Sequence, residues 1–377
     1  MSKQILILTE AGDIHAYAVA HALRSRGHIA HLWHTPDFPH RQPETIRFDR
    51  RGGSIRVLGG ELAVDDIDTV WNRRPGHRVD EDLLHPADVE FADKSCERFR
   101  QALFQLLAPQ AFWVNDEQAV RRNNKIVQHA AAARVGLDMP ASVYTNDPAE
   151  IRAFLRECGG RAIYKPLLAR AWQLADDTVR APYTALIDES KLVADELLQA
   201  VPGIYQQAVD KAYELRVTVM GGQLVTAQIR SQETEHGTLD WRKAQGEQGL
   251  QMAPYELPED IGARCVALLE ALGLVFGCCD FIVTPGGDYV FLEVNQAGQF
   301  LFVEHMTGQP VLDMVCDFLC QGRPDYRWRP PAAPLRFADV LPAAQAMRAA
   351  SFDEHSRGPR FAYREADASA RAEAHRG

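Results

Sequence analysis

The chain has 377 residues, of which 46% are hydrophobic and 24% are charged, and its formal net charge is −10. This length predicts two or three domains with a sizeable core, and the composition is typical of a globular protein. The negative charge argues against nonspecific nucleic-acid binding. No apolar run reaches the roughly 18 residues that would indicate a membrane span.

The cysteines indicate a reducing compartment. There are seven of them, an odd number, and they form no disulfide framework in the sequence. Such usage is typical of the cytoplasm, and we expect a cytoplasmic protein. No secretory signal peptide is predicted before the first strand.

The first 115 residues predict a parallel α/β domain. The apolar run Gln4–Leu8 indicates a buried strand, a helix is expected over residues 14–26, and Ile29–Trp33 is the next strand. This βαβ order implies a parallel sheet. The first turn holds no Gly-x-Gly-x-x-Gly fingerprint, so a dinucleotide site is not expected. Glu61–Val64 indicates a further strand.

Two arginines follow the short strand predicted at Asp68–Trp71. Open α/β sheets bind their ligands at the carboxyl ends of parallel strands. Arg73 and Arg74 are therefore candidates for binding a carboxylate or a phosphate. A solvated charged turn explains the same residues equally well, and the sequence leaves both interpretations open.

Residues 116–202 predict a small central α/β domain. One helix is expected over Asp116–Gly136, with Lys125 near its middle. A second helix follows Asp147, which is expected to cap it, because Pro148 takes the first helical position.

Lys165 follows the strand predicted at Ala162–Tyr164. A lysine that leaves a strand toward a loop can reach a phosphate, but lysine is also a common surface residue. The segment Leu167–Pro182 has no regular periodicity, and we expect a mobile loop there.

Residues 203–322 predict an antiparallel sheet. Its first strands are expected at Gly203–Val209, Glu214–Met220 and Leu224–Ser231. Arg216 and Arg230 lie on the last two of these strands, and the polar segment that follows contains Asp240-Trp241-Arg242. An amphipathic helix over Pro258–Leu272 precedes a hairpin.

The hairpin predicts a metal site. Two apolar runs flank the turn Pro285–Asp288, a hairpin signal. Asp280 begins the first strand, and Glu293 and Asn295 end the second strand on one shared face. Pairing can bring these oxygen ligands together, and such ligands suit Mg²⁺ or Mn²⁺. Because Glu293 interrupts an apolar run, it is costly unless paired or metal-bound; a hairpin with polar ends is the alternative.

From residue 323 onward the sequence becomes rich in Ala and Arg and is punctuated by prolines. Beyond Ser351 it contains almost no apolar residues and can bury little surface. We expect residues 323–377 to form an extended or partly disordered tail.

Together the charged residues predict chemistry on a phosphoryl group, which requires positioning and charge neutralisation. The set comprises Lys125 and Lys165 for the phosphates of ATP, Asp280, Glu293 and Asn295 for Mg²⁺, and Arg216, Arg230 and Arg242 for the transferring phosphoryl group. No Ser or Cys nucleophile with a His partner is evident.

The order of these parts resembles the ATP-grasp superfamily. Within it, the chain resembles the ligases that cyclise ribosomally made peptides, the graspetide or microviridin-type maturases. The resemblance covers about residues 3–320. Its motifs are Asp37-Phe38-Pro39, Val70–Pro75, Asn124-Lys125, Tyr164–Leu167, Glu214–Val217, Asp240-Trp241-Arg242, Phe291–Asn295 and Gly298-Gln299.

The resemblance implies an α/β ATP-grasp fold in three parts and a tail. These are an N-terminal parallel pre-ATP-grasp domain (1–115), a small central domain with the ATP lid and a leader-peptide site (116–202), a C-terminal antiparallel ATP-grasp domain with the Mg²⁺ site (203–322), and the tail (323–377). It also implies ATP with two Mg²⁺ ions, or Mn²⁺, as cofactors. A precursor peptide of leader and core is the implied partner, and the implied assembly is a homodimer without nucleic acid or membrane.

The implied reaction activates an Asp or Glu side chain of the precursor as an acyl phosphate. A Ser or Thr hydroxyl or a Lys amine of the same peptide then attacks, closing a macrolactone or macrolactam. By resemblance, the roles fall to Lys125, Lys165 and Glu214 for ATP, Gln206, Gln207, Ala208 and Val209 for the adenine hinge, Asp280, Glu293 and Asn295 for Mg²⁺, Arg216, Arg230, Arg242 and Asp240 for catalysis, and Arg73 and Arg74 for substrate.

The sequence departs from the family pattern at two places, and two other functions are compatible with it. Gln207 stands where an acid is common, and the loop after Lys165 lacks the glycines of many ATP-grasp phosphate loops. A ligase that joins small amino acids or adds glutamate is a second interpretation, and a non-catalytic nucleotide-binding module is a third. The Asn72–Pro75 and Asp240–Arg242 motifs favour the peptide branch, and the complete metal-ligand set argues against a module without activity.

Overall fold

The computed structural model describes residues 2–50, 52–60, 62–167, 184–244 and 249–355, together with the backbone of 172–173 and 179–180. The chain forms two compact units. The first contains Met1–Gln118 and Pro310–Gly377, and the second contains Ala119–Gln309. The boundary predicted at residue 202 lies inside the second unit and stays a prediction.

A four-stranded parallel sheet of order β2-β1-β5-β6 forms the centre of the first unit. The elements of its N-terminal part are β1 (Gln4–Thr9), α1 (Ile14–Ser25), β2 (Ile29–His34), β3 (Thr45–Asp49), β4 (Gly52–Arg56), β5 (Thr69–Asn72), α2 (Val89–Leu106) and β6 (Phe112–Val114). The βαβ start is confirmed: the side chain of Asp13 accepts a hydrogen bond from the amide of His15 and caps α1. The strand predicted at Glu61–Val64 is wrong, because a short 3-10 turn over Val64–Asp66 follows instead.

Within the described residues, the second unit contains three antiparallel sheets: a four-stranded sheet of order β11-β8-β12-β7, a five-stranded sheet of order β15-β14-β13-β16-β17, and a two-stranded sheet of β9 and β10. In chain order its elements are α3 (Glu117–Arg122), α4 (Lys125–Arg134), β7 (Ser142–Thr145), α5 (Pro148–Glu157), β8 (Arg161–Pro166), β9 (Trp172–Gln173), β10 (Val179–Arg180), β11 (Ala185–Asp188), α6 (Asp195–Ala200), β12 (Gly203–Gln207), β13 (Tyr213–Met220), β14 (Gln223–Ile229), β15 (Met252–Pro254), α7 (Glu259–Ala271), β16 (Phe276–Val283), β17 (Tyr289–Asn295) and α8 (Leu301–Thr307). The mobile loop predicted over Leu167–Pro182 lies largely outside the described residues.

The single helix predicted over Asp116–Gly136 is two helices, α3 and α4. The side chain of Asn124 accepts hydrogen bonds from the amides of Ile126 and Val127, at 3.0 and 3.1 Å. Such a cap satisfies free amides at a helix start, and a short polar side chain competes with a continuing helix. Lys125 is therefore the first residue of α4 rather than a mid-helix residue.

The core of the second unit lies on one face of the five-stranded sheet. Leu215, Val217, Cys279 and Phe281 are buried on this face. They pack against α7, which contributes Cys265, Leu268 and Leu269. Side chains alternate between the two faces along β13 and β16. Arg216 and Asp280, which lie between these buried residues in the chain, therefore project from the opposite face.

The chain returns to the first unit through α9 (Val311–Gln321) and α10 (Phe337–His355). The extended tail predicted from residue 323 is wrong over α10, because Val340, Ala344 and Ser351 are buried and the hydroxyl of Tyr17 on α1 donates a 2.6 Å hydrogen bond to Ser351. Small side chains let the two helices approach. Residues 356–377 of the predicted tail lie outside the described residues. Among the described helices, none has the length and apolar character needed to cross a bilayer.

Candidate active site

A cavity of about 280 Å³ in the second unit is lined by residues of its four-stranded sheet and of its larger, five-stranded sheet. Its apolar walls are Ile163 and Leu186 from the smaller sheet, and Ile282 and Leu292 from the larger sheet. Its charged end contains Lys165, Asp240, Arg242, Asp280 and Glu293. A cavity with apolar walls and a charged end fits a ligand with an aromatic ring at one end and anionic groups at the other.

The charged end is built on one row of residues across three strands. Arg216 on β13 is paired in register with Asp280 on β16, which is paired with Glu293 on β17. Nη1 of Arg216 donates to both carboxylate oxygens of Asp280 at 2.8 Å. Asp280 lies inside β16, four residues after its start at Phe276, and does not begin the strand as predicted.

A β-bulge directs Glu293 into this row. The register passes from Asp280–Glu293 to Phe281–Phe291, so Leu292 has no residue opposite it. In a regular strand, Phe291 and Glu293 would share a face. The extra residue lets Phe291 enter the core while Glu293 faces the cavity, which is a common use of bulges near sites. The side chain of His129 on α4 donates to the carbonyl of Leu292 at 3.0 Å and fixes the bulge.

Two lysines neighbour Glu293. Nζ of Lys125 lies 3.0 Å from its carboxylate, and Nζ of Lys165 donates to Oε1 of Gln206 at 2.9 Å. Burial lowers the pKa of Lys165 to about 8, although Glu293 opposes the shift. Burial alone would raise the pKa of Glu293, but Lys125 and Lys165 outweigh it and hold that pKa below its usual value.

The donor set fits a divalent cation. Burial raises the pKa of Asp280, Arg216 offsets part of this, and the nearby charge of Glu293 adds to it. Two adjacent carboxylates concentrate negative charge that a cation relieves. Asn295, paired in register with Cys278, is exposed at the end of β17. Mg²⁺ usually takes one or two carboxylates together with substrate phosphates, and no group of three or more His, Cys, Asp or Glu side chains within the described residues offers an all-protein cage.

Arg242 and Arg230 occupy different environments. Asp240 accepts hydrogen bonds from Nε and Nη2 of Arg242 at 2.8 and 2.7 Å, which orients the guanidinium at the cavity. Arg230 is about half exposed and pairs with Glu233 at 3.7 Å. Arg242 lines the cavity and Arg216 pairs with the cavity residue Asp280, whereas Arg230, within the described part of the chain, neither lines the cavity nor pairs with a residue that does.

The hinge residues Gln206, Gln207, Ala208 and Val209 line the cavity as a continuous segment. Gln206 is buried, whereas Gln207 is exposed. Glu214 accepts a 2.8 Å hydrogen bond from Lys211, whose Nζ also donates to the carbonyl of Leu239. Lys211 was not predicted; its only signal in the sequence is a basic residue between the hinge and β13.

The arginine pair of the first unit divides into a buried and an accessible residue. Nε of Arg73 lies 2.9 Å from the carboxylate of Asp13, and both side chains are fully buried. Burial by itself would raise the pKa of Asp13, but Arg73 outweighs it and the pKa is strongly lowered. Arg74 is about one-third exposed and lies 3.4 Å from Glu10. Arg73 therefore holds the fold at the end of β5, and Arg74 can reach a ligand.

Comparison with known proteins identifies the class. No family model matches the chain. The chain is 22% identical to a probable alpha-L-glutamate ligase of Halorhodospira halophila over 218 residues, which is 56% of this chain and 67% of that protein. Similar ligases of Pseudoalteromonas translucida and Teredinibacter turnerae match at 21% and 22% identity.

Solved structures match more of the chain. The RiPP-associated ATP-grasp ligase of Chryseobacterium gregarium, in complex with ADP and a leader and core peptide, has a TM-score of 0.75 and 25% identity, covering 87% of this chain and 100% of that chain. The macrocyclase MdnC of Microcystis aeruginosa, bound with precursor peptide MdnA, has a TM-score of 0.73 and 26% identity, covering 84% and 99%.

The fold and the site together define an ATP-grasp ligase. Within that superfamily, the chain is similar in structure to ATP-grasp ligases associated with ribosomally made, modified peptides, which confirms the resemblance read from its motifs.

Proposed function

We propose that this chain activates Asp or Glu side chains of a ribosomal precursor peptide with ATP and joins them to Ser, Thr or Lys side chains of the same peptide. The observation that carries the proposal is the row Arg216–Asp280–Glu293, whose two carboxylates line the charged end of the cavity while Arg216 pairs with Asp280 from within the sheet. That row, with Lys125 and Lys165 beside it, supplies charge of both signs where a phosphoryl group must be held.

Nucleotide binding follows from the shape of the cavity. Ile163, Leu186, Ile282 and Leu292 would enclose the adenine ring, and the backbone after Gln206 would meet its polar edge. Lys165 and Lys125 would then contact the phosphates as point charges. Glu214 and Lys211 lie on the side of the cavity where a ribose would be placed.

Asp280, Glu293 and Asn295 would hold Mg²⁺, with two ions or Mn²⁺ as the finer proposal. Bound there, the metal supplies charge neutralisation between the phosphates of ATP. Lys125, which pairs with Glu293, would turn toward the phosphates once a cation takes over that carboxylate. Arg216 keeps the Asp280 carboxylate in place through its two hydrogen bonds.

The reaction balances as a condensation driven by ATP. A peptide carboxylate oxygen attacks the γ-phosphorus, the bond to the β-phosphate oxygen breaks, and ADP leaves. The hydroxyl or amine then attacks the acyl carbon, phosphate departs, and the attacking group loses its proton. Arg242, oriented by Asp240, would stabilise the charge on the transferring group.

Peptide recognition is the remaining part of the proposal. Arg74 reaches solvent and would bind an acidic side chain of the core peptide, whereas Arg73 is engaged by Asp13. The leader would bind to the part of the second unit before β12, and the protein would act as a cytoplasmic homodimer. The support is the pair of similar structures that contain precursor peptides.

A second candidate is a ligase that adds glutamate, as the names of the curated relatives state for those proteins. It would use the same nucleotide site and differ only in the acceptor. The two functions predict opposite mass changes in a peptide. Ring closure removes one water for each bond formed within the peptide, whereas glutamate addition increases the mass by one glutamyl residue.

The test is incubation of the purified chain with ATP, Mg²⁺ and each short peptide encoded beside its gene, followed by mass spectrometry and an ADP assay. We expect successive losses of water with stoichiometric ADP. A peptide that gains glutamate would support the second candidate. The absence of any mass change with every neighbouring peptide, while ADP binds with Mg²⁺, would exclude the macrocyclase proposal.

A further inference from the structure

The segment Gln296–Phe302 joins the metal-site strand β17 to α8 and has no role in the reaction described above. It supplies no residue to the cavity lining. Nevertheless, three of its residues make contacts that bear on the positions of three positively charged side chains near Asp280 and Glu293.

The first contact is made by Gly298. A Cβ atom at this position would lie 2.4 Å from Sγ of Cys278, 2.6 Å from its Cβ, and 2.8 Å from Nη2 of Arg216. Only glycine therefore lets the backbone approach this closely. The approach brings the carbonyl of Gln299 to 3.3 Å from Nη2 of Arg216, which donates to it. Arg216 is thereby held between Gln299 on one side and Asp280 on the other.

The second contact is made by Gln296. Its Oε1 accepts a 2.7 Å hydrogen bond from Nδ2 of Asn123, and its Nε2 donates to the carbonyl of Val120 at 3.1 Å. Val120 lies in α3, and Asn123 lies between α3 and α4. Lys125 is the first residue of α4, so the amide of Gln296 fixes the place from which Lys125 reaches Glu293.

The third contact is made by Phe302. Its ring lies 5.4 Å from the ring of Trp241, measured between centroids. Trp241 is buried, and it packs with Ile229, Ala244 and Leu250. Because Trp241 stands between Asp240 and Arg242 in the chain, this aromatic contact holds the turn that presents the Arg242 guanidinium.

We propose that Gln296–Phe302 is a positioning element that sets Lys125, Arg216 and Arg242 around the Asp280–Glu293 pair. The inference rests on the proposed function, because it assigns the element to the nucleotide–metal site. It predicts that the element controls the part of nucleotide affinity that depends on metal. The adenine walls lie on other segments and are independent of it.

The decisive variant is Gly298→Ala, with ADP as the probe, titrated by calorimetry in Mg²⁺ and in a chelator. The added methyl group displaces Arg216, so we expect the gain in ADP affinity caused by Mg²⁺ to fall about tenfold, the loss expected for one charge-assisted hydrogen bond. Affinity without Mg²⁺ should stay within about twofold, since distant sites act independently.

A compensating change separates positioning from general damage. Cys278→Gly removes both sulfur and Cβ from the space that the new methyl group enters, so the double variant should recover most of the Mg²⁺-dependent gain relative to Cys278→Gly alone. Met306→Ala, at an exposed residue of α8, is the matched control and should bind like the wild type.

Phe302→Leu gives an independent reading if Gly298→Ala does not fold, and we expect the same selective loss from it. Wild-type protein that binds no ADP with Mg²⁺ would overturn the proposed function itself. If the wild type binds and the folded Gly298→Ala and Phe302→Leu variants retain the full Mg²⁺-dependent gain, the positioning role is wrong.

Discussion

The two faces of the five-stranded sheet carry opposite chemistry on the same strands. On one face, Leu215, Val217 and Phe281 are buried against α7. On the other face, Arg216, Asp280 and Glu293 form a charged row. The first face stabilises the unit by removing apolar surface from water. The second face desolvates charges, which is unfavourable unless they are paired.

The difference teaches where stability and activity reside. Substitutions on the apolar face should unfold the unit and leave its chemistry intact in the folded fraction. Substitutions on the charged face that leave the buried Arg216–Asp280 pair intact should remove function with little loss of stability, since sites commonly sacrifice stability for activity. At the bulge of β17, Phe291 lies on the apolar face and Glu293 lies on the charged face. The two faces can therefore be compared with substitutions only two residues apart.

The largest effect is expected from Glu293→Gln on the charged face. The change keeps the shape of the side chain and removes one of the two adjacent carboxylates. We expect ATP turnover with the cognate precursor to fall by at least about a hundredfold, the loss typical for a group that stabilises transition-state charge. The thermal midpoint should stay near that of the wild type, and retained turnover would refute the metal role.

On the apolar face, Phe291→Ala lies two residues away and should do the reverse. Phe291 is fully buried and packs edge-on against Phe281. Removing the ring should lower the free energy of unfolding by about 3–5 kcal/mol, measured by urea denaturation. Leu292→Ala, at the half-buried bulge, is the control and should be milder. A folded Phe291→Ala variant that cannot bind ADP with Mg²⁺ would contradict the claim that the apolar face affects stability and not nucleotide binding.

The charge of Lys165 should make nucleotide affinity depend on pH. Burial lowers its pKa to about 8, so the ammonium form that attracts phosphate dominates below that pH and is lost above it. ADP affinity should therefore fall as pH rises from about 7 to about 9, by up to roughly tenfold over one unit beyond the pKa. Lys165→Arg stays charged throughout and should make ADP affinity nearly independent of pH in this range. If the variant shows the same pH dependence as the wild type, Lys165 is not the group that binds the phosphates.

The smallest effect is expected from Arg230→Ala. Arg230 is half exposed and pairs with Glu233, and exposed pairs contribute about 0–1 kcal/mol. Turnover and stability should both stay near the wild-type values, in contrast to Arg242→Ala at the cavity. A loss of turnover in Arg230→Ala comparable to that of Arg242→Ala would place Arg230 in the site after all.

Local signals in the sequence predicted much of this architecture. Apolar runs and turn residues indicated the βαβ start, the hairpin of β16 and β17, and helix α7. The Asp147 cap is confirmed, because its carboxylate accepts from the amide of Ala149 at 2.9 Å.

What the sequence could not predict depends on contacts far apart in the chain. The bulge at Leu292 arises from the register between two strands and from His129 of α4. The burial of Arg73 depends on Asp13, and helix α10 depends on a surface offered by α1. Arg230 lies on a predicted strand and Arg242 in a polar segment, and neither local pattern shows which of the two arginines lines the cavity.

Calorimetry of ADP binding to the wild type and to Glu293→Gln, each with Mg²⁺ and with a chelator, tests the central claim most directly. The claim is that the charged face forms the metal–nucleotide site. We predict that Mg²⁺ strengthens binding to the wild type by about tenfold or more and leaves binding to Glu293→Gln nearly unchanged. An equal Mg²⁺-dependent gain in both proteins would contradict it.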